Sequence, residues 1–171
     1  MRFFTADQHF GHQHLVNIGL RDFPTTDKMD KHIITCHNKR IMNNDTEVYM
    51  LGDFSLKPKS HRPFYERIIN KLNGRFHLIL GNHDVKDPQF YLDLGFESVH
   101  TSLDLKLMNG LNVTLIHDPA YIYKYPVKNI KTQFLCGHIH DQFVANKNFL
   151  NVGVDVWDYY PASEEDILSM I

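Results

Sequence analysis

Residues 76–84, Phe76-His77-Leu78-Ile79-Leu80-Gly81-Asn82-His83-Asp84, begin as an apolar run of strand length and end in amide, imidazole and carboxylate groups. A short apolar run from Phe76 to Leu80, closed by glycine, reads as a buried strand. The polar cluster therefore sits at a strand end. The same order occurs twice upstream. Arg2 to Ala6 runs into Asp7-Gln8-His9, on a loop that continues past His12 to His14, and Val48 to Leu51 stops at Gly52-Asp53. Helices are expected between these strands. Met29, Ile33, Ile34 and Ile41 recur at near-helical spacing, with Thr26 or Asp27 as N-cap, which predicts a helix to about Met42, ended by Asn43-Asn44-Asp45. Ser60 to Leu72 reads as another, with Pro63 in its first turn and Asn73-Gly74 closing it.

The period changes in the second half. After a short helix around Pro88 to Leu94, Leu103–Met108 and Leu111–His117 flank Asn109-Gly110, the signature of a hairpin with a two-residue turn. Phe134–Cys136 and Phe149–Val154 supply further strands. A closing helix is expected from Ser163, with Glu164, Glu165 and Asp166 in its first turn, where carboxylates complement the helix dipole. Strand–helix units followed by hairpins predict an α/β domain of two packed, mixed sheets flanked by helices, parallel in the first half and antiparallel in the second. Residues 1–171 read as a single domain without repeats or linkers.

Composition narrows the function classes. The net charge of −2 and pI near 6.6 give no global basic field for nucleic acid or anionic membrane. The two cysteines, Cys36 and Cys136, lack metal-type spacing, and no stretch has the length of a signal peptide or membrane span. A reduced, cytoplasmic setting is expected. Twelve histidines in 171 residues direct attention to metal.

Five clusters follow predicted strands: Asp7-Gln8-His9, Gly52-Asp53, Gly81-Asn82-His83-Asp84, His117-Asp118 and Gly137-His138-Ile139-His140. Residues two apart on extended backbone face the same way, so Asp7/His9 and His138/His140 can each grip from one side. Mixed oxygen and imidazole donors without thiolate suit manganese, iron or zinc. The donors exceed one tetrahedral site, and two ions sharing a carboxylate form a clamp for a phosphoryl group.

Taken together, Asp-x-His, Gly-Asp, Gly-Asn-His-Asp, His and Gly-His-x-His resemble the signature of the calcineurin-like metallophosphoesterases, over Asp7 to His140. Asp7-Gln8-His9-Phe10-Gly11-His12, Leu51-Gly52-Asp53-Phe54 and Asn151-Val152-Gly153-Val154-Asp155 look like the small bacterial and phage phosphoesterases of that family. The resemblance implies a four-layer α/β/β/α sandwich. It further implies one metal on Asp7, His9 and His140, another on Asn82, His117 and His138, and Asp53 bridging them. His83 would face the substrate rather than a metal. Many relatives carry an Arg a few residues after the bridging Asp, where this chain reads Phe54-Ser55-Leu56-Lys57.

The expected activity is hydrolysis of a phosphate ester by a metal-bridging hydroxide with manganese favoured, and the alternative is a metal-binding interaction scaffold of the same fold. Without an insertion for a capping domain, a diester, a nucleotide or a nucleic-acid end is the favoured substrate, with no membrane and no obligate protein partner. His83 is assigned as general acid. His12 and Asn82 are assigned to the substrate phosphate, and Asp84 either orients an imidazole or caps the next turn. Tyr121, Tyr123 and Tyr125 beside Lys124 and Lys128 read either as a stacking platform or as ordinary packing. Lys57, Lys59, Arg62 and Arg67 read either as a basic patch or as a solvated face.

Overall fold

The computed structural model describes residues 1–120, 133–142, 145–146 and 148–171; Tyr121, Tyr123, Lys124, Tyr125 and Lys128 fall outside them. β1 (Arg2–Thr5), β2 (Glu47–Met50), β3 (Arg75–Ile79) and β4 (Ser98–His100) are parallel neighbours in sequence order, and β10 (Ala162–Ser163) pairs antiparallel with β1. When consecutive parallel strands lie side by side, right-handed crossovers put every connecting helix on one face. Here those helices are α2 (Thr26–Arg40), α3 (Arg62–Ile69) and α4 (Pro88–Leu92). Phe3, Val48, Met50, Phe76 and Leu78 point to that side, where Met29, Ile33, Tyr65, Ile68 and Phe90 meet them.

The alternate residues of the same strands point the other way. Phe4, Tyr49, Leu51 and Ile79 pack against Val113, Leu115, Leu135 and Leu150 of a second sheet. That sheet runs β5 (Leu103–Lys106), β6 (Asn112–Leu115), β7 (Gln133–Cys136), β9 (Phe149–Asn151) and β8 (Ala145–Asn146). Each fully buried aliphatic in this interface contributes about 1.5–3 kcal/mol relative to exposure. The two sheets also join through backbone, since the Val154 amide donates to the Ala6 carbonyl at 3.0 Å. Among the described residues, three layers are seen: helices, first sheet and second sheet. No helix of those residues is long and apolar enough to cross a membrane.

Several expectations need correction. Both sheets are mixed, as expected, but the second half is not simply antiparallel: β6–β7 and β7–β9 are parallel, while β5–β6 and β8–β9 are antiparallel. Thr25, not Thr26 or Asp27, caps α2, its hydroxyl accepting from the Lys28 amide, and α2 ends at Arg40. The expected loop from Asp7 to His14 ends in a short helix, α1 (Gln13–Asn17). The hairpin turn holds three residues. The Leu107 amide bonds to the Leu111 carbonyl at 2.8 Å, and Gly110 takes the left-handed φ of 88° that a three-residue loop needs. The closing helix, α5 (Glu164–Met170), starts as expected, with Ser163 and Asp166 in a capping box.

Candidate metal centre

Parallel strands end at one edge, so β1, β2 and β3 deliver Asp7, Asp53 and the 81–84 turn to the same place. From the second sheet, β6 and β7 deliver His117 and the 138–140 turn. Five of these residues hold left-handed backbone: Asp7 (φ 57°), His9 (51°), Asp53 (55°), His138 (72°) and His140 (45°). Each such residue costs on the order of 1–3 kcal/mol and persists only where its surroundings over-determine it. Here hydrogen bonds pin the turns. The guanidinium of Arg21 donates to the carbonyls of Asp7 at 2.6 Å and Gln8 at 2.8 Å. Asp84 accepts from the amides of Asp53, Phe54 and Gly81 at 2.8, 2.9 and 2.8 Å, and from the Tyr91 hydroxyl at 3.3 Å. The His138 amide donates to Asp7 Oδ2 at 2.9 Å, and Asn151 Nδ2 donates to the His140 carbonyl at 3.0 Å.

Asp7, His9 and His140 form one group whose ligand atoms lie within 4.8 Å of one another, and Asp53, His117 and His138 form a second. Asp53 Oδ2 stands between them, 3.5 Å from His9 Nε2 and 3.4 Å from His117 Nε2. Its other oxygen, Oδ1, accepts the His83 amide at 2.9 Å. Asn82 joins the second group. Its Oδ1 lies 2.9 Å from both His117 Nε2 and His138 Nδ1, which are 3.2 Å apart.

The electrostatics fit a cation. Asp7 Oδ1 and both ring nitrogens of His9 are buried without a hydrogen-bond partner among the described residues. A buried polar atom left unpaired is costly, and coordination would satisfy Asp7 Oδ1 and one nitrogen of His9. Burial pushes the Asp7 carboxyl up to about 6 and, with the Arg21 charge, lowers His9 to about 3 against the pull of Asp53, so His9 is a neutral imidazole. Burial opposes the charged forms of Asp53 and His117. Their mutual hydrogen bond and attraction outweigh it, holding Asp53 far below the usual carboxylate range and raising His117 to about 9. His117 donates Nδ1–H to the Leu51 carbonyl at 2.8 Å, which turns Nε2 toward Asn82 and His138. Without a proton there, three lone pairs face one another, as metal ligands do.

His140 is oriented by Asp155, a residue to which the sequence pattern assigns no role. Nδ1 of His140 donates to Asp155 Oδ2 at 2.9 Å, and this bond is the main cause of the raised affinity of His140 for a proton. Arg21 forks onto the same carboxylate at 2.7 and 2.9 Å. Asp84 orients no imidazole; it holds the Asp53 and Gly81 turns through their amides. His12 and His83 lie outside both ligand groups. The His12 ring centre is 5.3 Å from that of His9, with a buried Nδ1 that has no partner among the described residues. The exposed His83 ring stands 5.6 Å from that of His9.

No protein-family model matches the chain. The gene 66 protein of Mycobacterium phage D29 is 28% identical, covering 94% of this chain and 92% of its own length. The gene 66 protein of phage L5 is 26% identical, covering 95% and 90%. Among solved structures, a protein of unknown function from Aquifex aeolicus shares the fold, with a TM-score of 0.75 at 24% identity over 100% of this chain and 99% of that one. A nuclease of Pseudomonas putida matches loosely, with a TM-score of 0.45 and 18% identity over 81% of this chain and 61% of that one.

Proposed function

We propose that this protein is a phosphate-ester hydrolase dependent on two divalent metal ions, of the calcineurin-like type and with that family's four-layer sandwich. One observation carries the reading: a single oxygen, Asp53 Oδ2, lies 3.5 Å from His9 and 3.4 Å from His117, members of the two separate ligand groups. Asp7, His9 and His140 would hold one ion and Asn82, His117 and His138 the other, with Asp53 shared. Imidazole, carboxylate and amide donors without thiolate suit manganese, iron, zinc or a mixture of them, and manganese is the one proposed. When bound, two such ions supply charge neutralisation for a phosphoryl group and acidify water.

The side chains around the ligands do the remaining work. His83, exposed and tethered by its amide to Asp53, delivers a proton to the leaving oxygen, and His12 contacts a phosphate oxygen through the imidazole beside His9. Asn82 serves both a metal and the substrate. A diester, nucleotide or nucleic-acid end in the cytosol is the proposed substrate.

Elemental analysis after loading with manganese tests the reading. Two ions per chain are expected, with Asp53→Ala losing more metal than Lys57→Ala. Hydrolysis of bis-p-nitrophenyl phosphate should require added manganese and stop with chelator. One ion at saturation, or manganese-independent turnover, contradicts it.

A further inference from the structure

Beside the candidate centre, the loop that carries His9 borders a groove of about 460 Å³ whose lining includes Gly11, Asp27, Asp30, Lys57, Phe64 and Arg67. Gly11 is two residues from His9, so their backbones are at most about 7 Å apart. The groove therefore borders the loop that carries His9, although none of the candidate ligands lines it. Its acids are engaged: Asp27 pairs with Lys31 at 3.0 Å, and Asp30 is buried and accepts the Gly11 amide at 3.0 Å. Its cations act on those acids only at longer range, Arg67 on Asp27 and Asp30 and Lys57 on Asp30. Lys57 and Arg67 have no carboxylate partner among the described residues' ion pairs, and His61 adds a third basic side chain to the rim.

Both cations are gathered on one ring. Lys57 Nζ lies 5.8 Å and Arg67 Cζ 5.1 Å from the Phe64 centroid, within the range of cation–π attraction. Phe64 and the Lys57 stem in turn fill the space a side chain at residue 11 would need, since a Cβ on Gly11 would come within 2.7 Å of Phe64 and 2.8 Å of Lys57. Lys57 thus stands in the groove, packed against the loop of His9. A groove with engaged acids and two positioned, unpaired cations suits an anion, and phosphate contacts by Lys and Arg are the sequence-independent part of nucleic-acid binding.

We propose that this groove holds a second phosphate of the substrate, one not being hydrolysed, so that the substrate is an oligonucleotide rather than an isolated phosphate ester. This rests on the hydrolase reading above for the position of the scissile phosphate, though binding itself is measurable without turnover. Lys57 and Arg67 supply the charge, and Phe64 fixes both in place.

The test is fluorescence anisotropy with manganese-loaded protein, a labelled hexathymidylate carrying phosphorothioate linkages, and thymidine 5′-monophosphate as the ligand with no second phosphate. Lys57→Gln with Arg67→Gln should weaken hexathymidylate binding at least tenfold at low salt and flatten the slope of log affinity against log salt by roughly 0.7, for the one phosphate charge no longer neutralised. Mononucleotide binding should change less than twofold. Equal weakening for both ligands would mean that the two cations hold the scissile phosphate, and an unchanged slope, or no oligonucleotide binding by the unsubstituted protein, would also overturn the proposal. Circular dichroism of the variant separates unfolding from the removal of charge, and Phe64→Leu, which keeps both charges but not their platform, should give a smaller effect with the slope retained. If oligonucleotide binds as expected but is never cleaved with any metal, the hydrolase reading fails and the groove stands.

Discussion

Arg21 and Asp155, 134 residues apart in sequence, form a two-pronged ion pair, Nε to Oδ1 at 2.7 Å and Nη2 to Oδ2 at 2.9 Å, with the guanidinium fully buried. Such a pair is costly to desolvate unless every remaining donor and acceptor is used. Here the spare Arg21 donors reach the Asp7 and Gln8 carbonyls and the spare Asp155 lone pair takes the His140 imidazole. One pair thus fixes candidate ligands on both the first and the last loop of the candidate centre.

Asp155→Asn should weaken manganese binding about 10- to 100-fold, the usual effect of losing a carboxylate behind a ligating histidine. Arg21→Met should do more damage to the fold, about 3–5 kcal/mol by urea denaturation, because it leaves a buried carboxylate uncompensated. Metal titration of Asp155→Asn with unchanged affinity would show that His140 needs no such support.

A second prediction concerns space rather than charge. A Cβ on Gly81 would stand 2.2 Å from Asp53 Oδ1 and 2.4 Å from its amide nitrogen. Gly81→Ala must therefore push the Asp53 turn aside. It should lose manganese as well as about 1–3 kcal/mol of stability, the ordinary cost of overpacking. Gly95 provides the comparison, since its φ of 99° strains any side chain while nothing lies within 4 Å. Gly95→Ala should lose stability and keep its metal content by elemental analysis.

The candidate centre was legible because it lies at strand ends, where an apolar run and a polar cluster, often with a glycine between them, are adjacent in sequence. Asp53, Asn82, His138 and His140 are announced that way, and Asp7, His9 and His117 by the apolar run alone. Arg21 is not, because its burial and its partner at position 155 exist only once β1 and the segment after β9 are side by side. Nor does local sequence reveal parallel pairing of β6 with β7, which is a non-local choice, whereas the β5–β6 hairpin is written in Asn109-Gly110. β4 escaped because Ser98-Val99-His100 is only half-buried and carries a single apolar residue.

The pH dependence of stability should be set in part by His37, far from the metal loops. It is buried, its Nε2–H donates to the Asn73 carbonyl at 2.8 Å, and burial lowers it from 6.5 to about 4. Between those values the unfolded chain binds the extra proton and the folded protein does not, so stability is intact above about 6.5 and falls as pH drops toward 4. The loss from this group is on the order of 3 kcal/mol. Urea unfolding of His37→Gln between pH 7 and 4 should show a shallower decline than the unsubstituted protein; parallel curves would mean that His37 is free to protonate in the fold.

His83 gives the sharpest test of chemistry. Its ring lies outside both ligand groups, 5.6 Å from that of His9, while its amide holds Asp53 Oδ1. The side chain can therefore be changed without touching a donor atom. A positioned acid contributes about 10²–10⁴-fold, and the contribution grows as the leaving group becomes more basic, because a poor leaving group most needs its proton. His83→Asn should keep both ions, hydrolyse a p-nitrophenyl ester with modest loss, and lose far more on a ribose or alkyl ester. Equal losses on the two esters would make His83 a phosphate contact instead of an acid. Loss of an ion would place its imidazole among the ligands.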